Sequence, residues 1–85
     1  MAIAVGIRIR FFARLREQAG VETESIEVAP ASTLADVYAA LRGKHAALPE
    51  QGAVRAALNQ EFADWNTTVA SGDEVAYIPP VSGGI

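Results

Sequence analysis

The sequence predicts an α+β domain in which one main helix packs against a mixed sheet of four to five strands. Residues 3–11 alternate apolar side chains with other residues, which is the period of a β-strand. Residues 34–41 place apolar side chains at the i, i+3, i+4, i+7 spacing of an amphipathic helix. A short apolar strand, residues 75–78, follows a turn at residues 71–73. These three observations set the fold class.

The first strand is expected to turn its odd-numbered residues toward the core. Its even face carries Arg8, Arg10 and then the aromatic Phe12. Two interpretations of Phe12 remain open, because it could pack under the next loop or form an exposed apolar contact site. Residues 13–19 favour a short helix, and Gly20 is suited to end that helix in the left-handed conformation.

Residues 23–28 predict a second strand that forms a hairpin with the first. Ile26 and Val28 are its inward-facing pair. On the outer face of the hairpin, we expect the two arginines of the first strand to pair with Glu24 and Glu27.

A helix follows, and its start is marked by Thr33 and Asp36, which fit the capping-box pattern. The helix is expected to end near Gly43. His45 is the only histidine, and no second histidine or carboxylate stands at ligand spacing from it. We therefore predict a solvent-exposed residue at the helix end and no metal site. The core-facing stripe of the helix consists of Leu34, Val37, Tyr38 and Leu41.

The second half of the chain predicts shorter elements. Residues 46–53 form a loop, residues 54–59 form a third strand, and a polar turn follows at residues 59–61. Phe62 is either a core residue or exposed. Residues 67–69 are expected to form a short edge strand before the last strand.

The order of these elements limits how they assemble. One helix can bury its apolar stripe only against one face of a single sheet. The right-handed crossover and the apolar character of the first and last strands place those two strands side by side and parallel at the centre. This is the ubiquitin-like β-grasp arrangement. It brings Phe12 and Ile78 together as an apolar patch at the root of the C-terminal tail.

The tail is expected to extend from the domain, so we divide the chain into a domain at residues 1–80 and a tail at residues 81–85. Pro79 and Pro80 stop further strand pairing, since neither has a backbone N–H. Two glycines, Gly83 and Gly84, then form a tip without side chains. Such a tip can enter a narrow channel and carry an acyl group to a distant active site. The other interpretation is a frayed terminus of small residues.

Composition excludes several functions. The 85 residues include no cysteine, so disulfides, thiolate catalysis and zinc–thiolate sites are excluded. A net charge of −3 with seven scattered basic residues argues against binding to nucleic acid or an anionic membrane. Arginines interrupt the first apolar run early, and no run approaches the ~20 residues that span a bilayer, so we expect a cytoplasmic chain. Asp73 and Glu74 are adjacent on a strand and point to opposite faces, so they form no acid–base pair.

Three segments carry a family resemblance. Residues 11–17 read Phe-Phe-Ala-Arg-Leu-Arg-Glu, residues 57–60 read Ala-Leu-Asn-Gln, and residues 72–84 end in Ile-Pro-Pro-Val-Ser-Gly-Gly. Together they resemble the MoaD family, the small sulfur-carrying subunits of molybdopterin synthase, over the whole chain. This family is ubiquitin-like and related to ThiS.

The resemblance implies a defined cycle. An adenylyltransferase related to the ubiquitin activators would use ATP to adenylate the carboxylate of Gly84, and a sulfur donor would convert it to a thiocarboxylate. The tail would then enter the large, catalytic subunit of the synthase and give its sulfur to cyclic pyranopterin monophosphate. The resemblance implies no cofactor bound by this chain, no catalysis by the chain alone, and a heterotetramer of two small and two large subunits. The implied partner-binding residues are Phe12, Phe62, Ile78, Pro79, Pro80, Val81 and Ser82, with Gly83 and Gly84 as the reacting tip.

Ile85 departs from the family pattern, in which the second glycine ends the chain. It moves the terminal carboxylate about 3.5 Å further along the chain, and its branched side chain does not suit a glycine-sized channel. We therefore expect that Ile85 must be removed before activation. Three rival functions remain open: a sulfur carrier for thiamine thiazole or cysteine synthesis, a ubiquitin-like protein modifier, and a purely structural binding module.

Overall fold

A computed structural model of the chain describes residues 4–80. Its elements, in chain order, are β1 (Val5–Phe11), α1 (Arg14–Ala19), β2 (Thr23–Val28), α2 (Leu34–Lys44), a 3-10 helix (Gln51–Ala53), β3 (Arg55–Leu58), β4 (Glu61–Phe62) and β5 (Glu74–Ile78). The predicted division between residues 1–80 and a tail at 81–85 stays a prediction, since the tail lies outside the described residues.

The five strands form one mixed sheet in the order β2-β1-β5-β3-β4. β1 pairs with β2 antiparallel and with β5 parallel, and β5 pairs with β3 antiparallel. The predicted parallel pairing of the first and last strands at the centre of the sheet is therefore confirmed. The predicted α+β fold of the ubiquitin-like β-grasp type is confirmed with it.

Helix α2 covers one face of this sheet. Thr33 Oγ1 accepts a hydrogen bond from the backbone N–H of Asp36 at 3.1 Å, and the Asp36 carboxylate accepts one from the N–H of Thr33 at 3.0 Å. This predicted capping box fixes where the helix begins. The predicted apolar stripe is fully buried and consists of Leu34, Val37, Tyr38 and Leu41.

The strands supply further core residues. Three alternate residues of β1, Ile7, Ile9 and Phe11, are buried, as the period of two predicts. Tyr77 of β5 is fully buried, and its hydroxyl donates a hydrogen bond to the Leu34 carbonyl at 3.0 Å. Burial raises the pKa of this phenol well above its ordinary value, so Tyr77 stays neutral and acts as a core residue.

The edge of the sheet differs from the prediction. Residues 67–69 form no strand; Thr68 makes one isolated bridge with Thr33. The neighbour of β3 is instead β4, which is two residues long and pairs through a tight hairpin. The sequence pattern cannot show so short a strand, because two residues have no measurable period.

The predicted pairing of the β1 arginines with Glu24 and Glu27 is wrong, because no ion pair among residues 4–80 joins them. Glu24 alternates with Ile26 and Val28 on the inner side of β2, so it faces the end of α2. Arg10 lies 3.8 Å from Glu74 instead.

The prediction that His45 is solvent-exposed is also wrong. Its side chain is 16% exposed, and Nε2 lies 2.6 Å from Glu24 Oε1. Lys44 Nζ contacts the other oxygen of the same carboxylate. The His45 ring also meets the Phe11 ring edge-on, with centroids 6.0 Å apart. The end of α2 is therefore attached to β2.

None of the helices found between residues 4 and 80 has the length and apolar character needed to cross a bilayer.

Candidate functional site

An apolar groove of about 340 Å³ lies on the face of the sheet opposite α2. It runs along β5, the strand that leads into the tail, from Glu74 to Ile78. The groove is lined by Arg10, Phe12, Ala57, Gln60, Phe62, Glu74, Ala76 and Ile78. Three residues predicted to bind a partner, Phe12, Phe62 and Ile78, are thus brought together.

The sheet register explains why a groove exists here. Arg10 pairs with Ala76, Ala76 with Ala57, and Ala57 with Phe62, so these four residues form one row across four strands. The two central members are alanines and the two outer members are large. Small residues flanked by large ones leave a depression in the surface.

The next row along the strands closes one end of the groove. Arg55 is paired with Ile78. The backbone N–H of Phe12 donates to the Tyr77 carbonyl at 3.2 Å, which extends the β1–β5 ladder by one residue. Phe12 and Arg55 therefore stand on either side of Ile78.

Two of the groove residues are exposed aromatic side chains. Phe12 is 39% exposed and Phe62 is 61% exposed. The sequence left open whether each of these two side chains is buried or exposed. The structure shows that both are exposed. Their role in binding a partner remains a prediction. Exposed aromatic clusters of this kind are typical of protein interaction sites.

Two guanidinium groups stand at the rims of the groove. The Arg10 Cζ atom lies 5.3 Å from the centre of the Phe12 ring, and the Arg55 Cζ atom lies 4.2 Å from the centre of the Phe62 ring. Both distances are in the range of cation–π contacts. Glu74 is close to Arg10, whereas Arg55 has no carboxylate partner among residues 4–80. The groove therefore combines an apolar floor with positive charge at the end near Arg55.

The two prolines predicted to bind a partner do not line this groove. Pro79 and Pro80 border a separate recess of about 260 Å³, together with Arg14 and Gln18 of α1. The other predicted site residues, Val81, Ser82, Gly83 and Gly84, lie outside the described residues.

Arg55 and Gln60 belong to the site, but sequence reasoning missed them. Arg55 stands two positions before Ala57, so the period of two would have put both on one face. That face could be related to Phe12 only through the β3–β5 register, which the sequence does not show. Gln60 belongs to the predicted turn and to a segment that resembles the family, and neither pattern assigns it a role in binding.

Comparison with known proteins places this geometry in context. The model of the ThiS family matches residues 9–84. The chain is 38% identical over 82 residues to the molybdopterin synthase sulfur carrier subunit of Escherichia coli (strain K12), a match that covers 92% of this chain and 99% of that protein.

Two solved structures are similar over nearly the whole chain. The first is the small archaeal modifier protein SAMP1 from Haloferax volcanii, with a TM-score of 0.80, 34% identity, and coverage of 93% of this chain and 99% of that one. The second is a complex of subunits 1 and 2 of the molybdopterin-converting factor from Helicobacter pylori 26695, with a TM-score of 0.68 and 30% identity. It covers 94% of this chain and 100% of the matched one. With a family model that spans most of the sequence and a relative matched from end to end, this chain belongs to the ThiS family.

Proposed function

We propose that this chain is the sulfur-carrier subunit of a molybdopterin synthase and has no catalytic activity of its own. The groove is the observation that carries the proposal, because its floor is part of the strand that continues into the tail. A partner seated on Phe12, Phe62 and Ile78 would hold the origin of the tail in a fixed place. The name of the Escherichia coli relative and the two-subunit complex from Helicobacter pylori support the large synthase subunit as that partner.

The length of the tail suits delivery into a partner. From Pro80 to Gly84 the chain advances four residues, which is about 14 Å when fully extended. A partner bound at the groove could therefore receive the Gly84 carbonyl well below its surface. Gly83 and Gly84 have no side chains, so the receiving channel can be narrow.

The chemistry needs no side chain of this protein. In the activating adenylyltransferase, the Gly84 carboxylate would attack the α-phosphorus of ATP and release pyrophosphate. Sulfide from a donor would then displace AMP and leave a thiocarboxylate. In the large subunit, the sulfur would form a C–S bond with cyclic pyranopterin monophosphate, and hydrolysis of the acyl C–S bond would return Gly84 to a carboxylate. The absence of cysteine from the sequence agrees with this route, since the sulfur is carried on an acyl carbon. ATP would be bound by the activating enzyme and no cofactor by this chain.

Ile85 follows Gly84, so the Gly84 carbonyl is held in a peptide bond until Ile85 is removed. We expect a chain that ends at Gly84 to gain the mass of one sulfur in place of one oxygen when it is incubated with the activating enzyme, ATP and a sulfur donor. The 1–85 chain should gain none. Intact-mass spectrometry measures both, and a chain ending at Gly83 is the matched control. Equal conversion of the 1–84 and 1–85 chains would contradict the requirement for removal.

Similarity to the small archaeal modifier protein favours one second candidate, a ubiquitin-like protein modifier. A modifier would form isopeptide bonds through the same activated Gly84. Tagged chains recovered from cells under denaturing conditions distinguish the two functions. A ladder of covalent conjugates would support the modifier. Unconjugated chain, with the large synthase subunit recovered only under native conditions, would support the carrier.

A further inference from the structure

The loop between β3 and β4 contains a residue in a conformation that its type disfavours. Leu58 pairs with Glu61, so the hairpin loop is two residues long. Asn59 has φ of 50° and Gln60 has φ of 74°, the left-handed angles that a type I′ turn requires at both positions. Asn-Gly is the preferred pair for this turn, because glycine takes a positive φ without steric cost. Gln60 occupies the position that favours glycine.

Contacts within the domain explain why the first loop residue, Asn59, is an asparagine. The Asn59 amide donates to Asp73 Oδ1 at 3.0 Å, and its carbonyl oxygen accepts the backbone N–H of Glu74 at 3.0 Å. These two bonds attach the hairpin to the start of β5. Asparagine also tolerates the left-handed region better than most residues. Its presence at this position therefore has a structural reason.

No contact within the described part of the domain explains why a glutamine occupies position 60. Its side chain is exposed, and its amide makes no hydrogen bond with any other residue between 4 and 80. It does, however, line the groove, beside Phe62. A strained, unpaired polar residue at the rim of a binding groove is a candidate functional residue.

We propose that Gln60 is a binding contact of the groove, and that its amide hydrogen-bonds to the backbone of the partner protein. This inference rests on the proposed function, since it takes the large synthase subunit as that partner. A neutral amide carries two donors and one acceptor group, which match a peptide C=O and N–H. The partner would place an apolar side chain on the floor of the groove and its own backbone at the hairpin rim.

The test separates the amide from the backbone strain. Gln60→Gly removes both the side-chain amide and the backbone strain. Gln60→Ala removes the amide but keeps a residue that disfavours positive φ. Ala31→Gly is the matched control for strain, because Ala31 also has a positive φ, 67°, and lies outside the groove. Gln51→Ala is the matched control for loss of an exposed amide. Melting temperature and the Kd for the large subunit of the same organism are measured for each variant.

We expect Gln60→Gly and Ala31→Gly to raise Tm by about 4 °C, since each relieves a left-handed non-glycine residue. Gln60→Gly and Gln60→Ala should both weaken binding about three- to tenfold, the range of one net hydrogen bond. Ala31→Gly and Gln51→Ala should leave Kd unchanged. This pattern supports the proposal.

Two other outcomes overturn it and are distinguishable. If the wild-type chain binds the large subunit and both Gln60 variants bind equally well, the role of Gln60 is wrong and the proposed function stands. If the wild-type chain shows no binding, the proposed function fails, and the partner assigned to Gln60 fails with it.

Discussion

Glu24 joins two elements that are separate in the sequence. Its carboxylate is contacted by Lys44 Nζ and His45 Nε2 at the end of α2, and its side chain is 12% exposed. Burial alone would raise the pKa of Glu24, but the hydrogen bonds and charges of Lys44 and His45 outweigh it. The pKa of Glu24 is therefore lower than its ordinary value of 4.5.

This shift predicts an acid-sensitive contribution to stability. A carboxyl group with a lowered native pKa stabilises the fold above its ordinary pKa, and the contribution disappears as the pH falls through the native value. Glu24→Gln should lower the free energy of unfolding by about 1 kcal/mol at pH 7. The difference from wild type should shrink below about pH 4.5. Urea denaturation of the variant and the wild type across pH 2–7 measures this difference in unfolding free energy.

Glu27→Gln is the matched control for this prediction, because Glu27 lies on the same strand but faces the other side of the sheet. It forms no ion pair among residues 4–80. If Glu24→Gln and Glu27→Gln gave the same pH profile, the stabilising role of the α2–β2 contact would be disproved.

At the scale of elements, α2 begins at a reciprocal pair of hydrogen bonds between Thr33 and Asp36. The first backbone N–H groups of a helix have no partner inside the helix, so a side chain that accepts from one of them stabilises the helix start. The same helix buries four apolar side chains in the core, so a weaker start should lower the stability of the whole domain.

Thr33→Ala should therefore lower the free energy of unfolding by about 1 kcal/mol. Thr68→Ala is the matched control, since Thr68 is exposed and its hydroxyl makes no hydrogen bond within the described part of the chain. Denaturant midpoints measure both variants. A loss in Thr33→Ala no larger than that in Thr68→Ala would show that the capping box contributes little.

Elements with a strong local pattern could be predicted from the sequence. The alternation in β1 and the apolar stripe of α2 are repeated several times, and Gly20 ends α1 in the left-handed conformation that was expected. By contrast, β4 has only two residues and is defined by its pairing with β3. The contact of His45 with Glu24 depends on how the end of α2 packs on β2, which no local pattern encodes.

For the site, the sequence predicted some members but not the shape. Phe12 and Ile78 could be placed on one surface because both belong to strongly patterned strands. The groove itself depends on Ala57 and Ala76 being neighbours, and this follows only from the β3–β5 register. Gln60 stands out only once its backbone angle is known.

At the scale of the whole molecule, the sheet order puts the groove and the origin of the tail on the same central strand, β5. In the proposed function, recognition by a partner and delivery of the tail would be coupled through this one strand. The exposed aromatic residues of the groove should be needed for binding and dispensable for folding.

Phe12→Ser should weaken binding to the large synthase subunit by tenfold or more, on the order of the loss of an aromatic anchor, with little change in Tm. Val21→Ser is the matched control, because Val21 is also 39% exposed but lies outside the groove. Isothermal titration calorimetry measures the Kd of both variants for the large subunit. Equal Kd values for the two variants would exclude the groove as the binding surface.

The central position of β5 also has a mechanical consequence. A force directed along the axis of β5 acts on both of its neighbours, because β5 is bonded to β1 on one side and to β3 on the other. Both ladders are then loaded in shear, so their hydrogen bonds resist together instead of opening one after another.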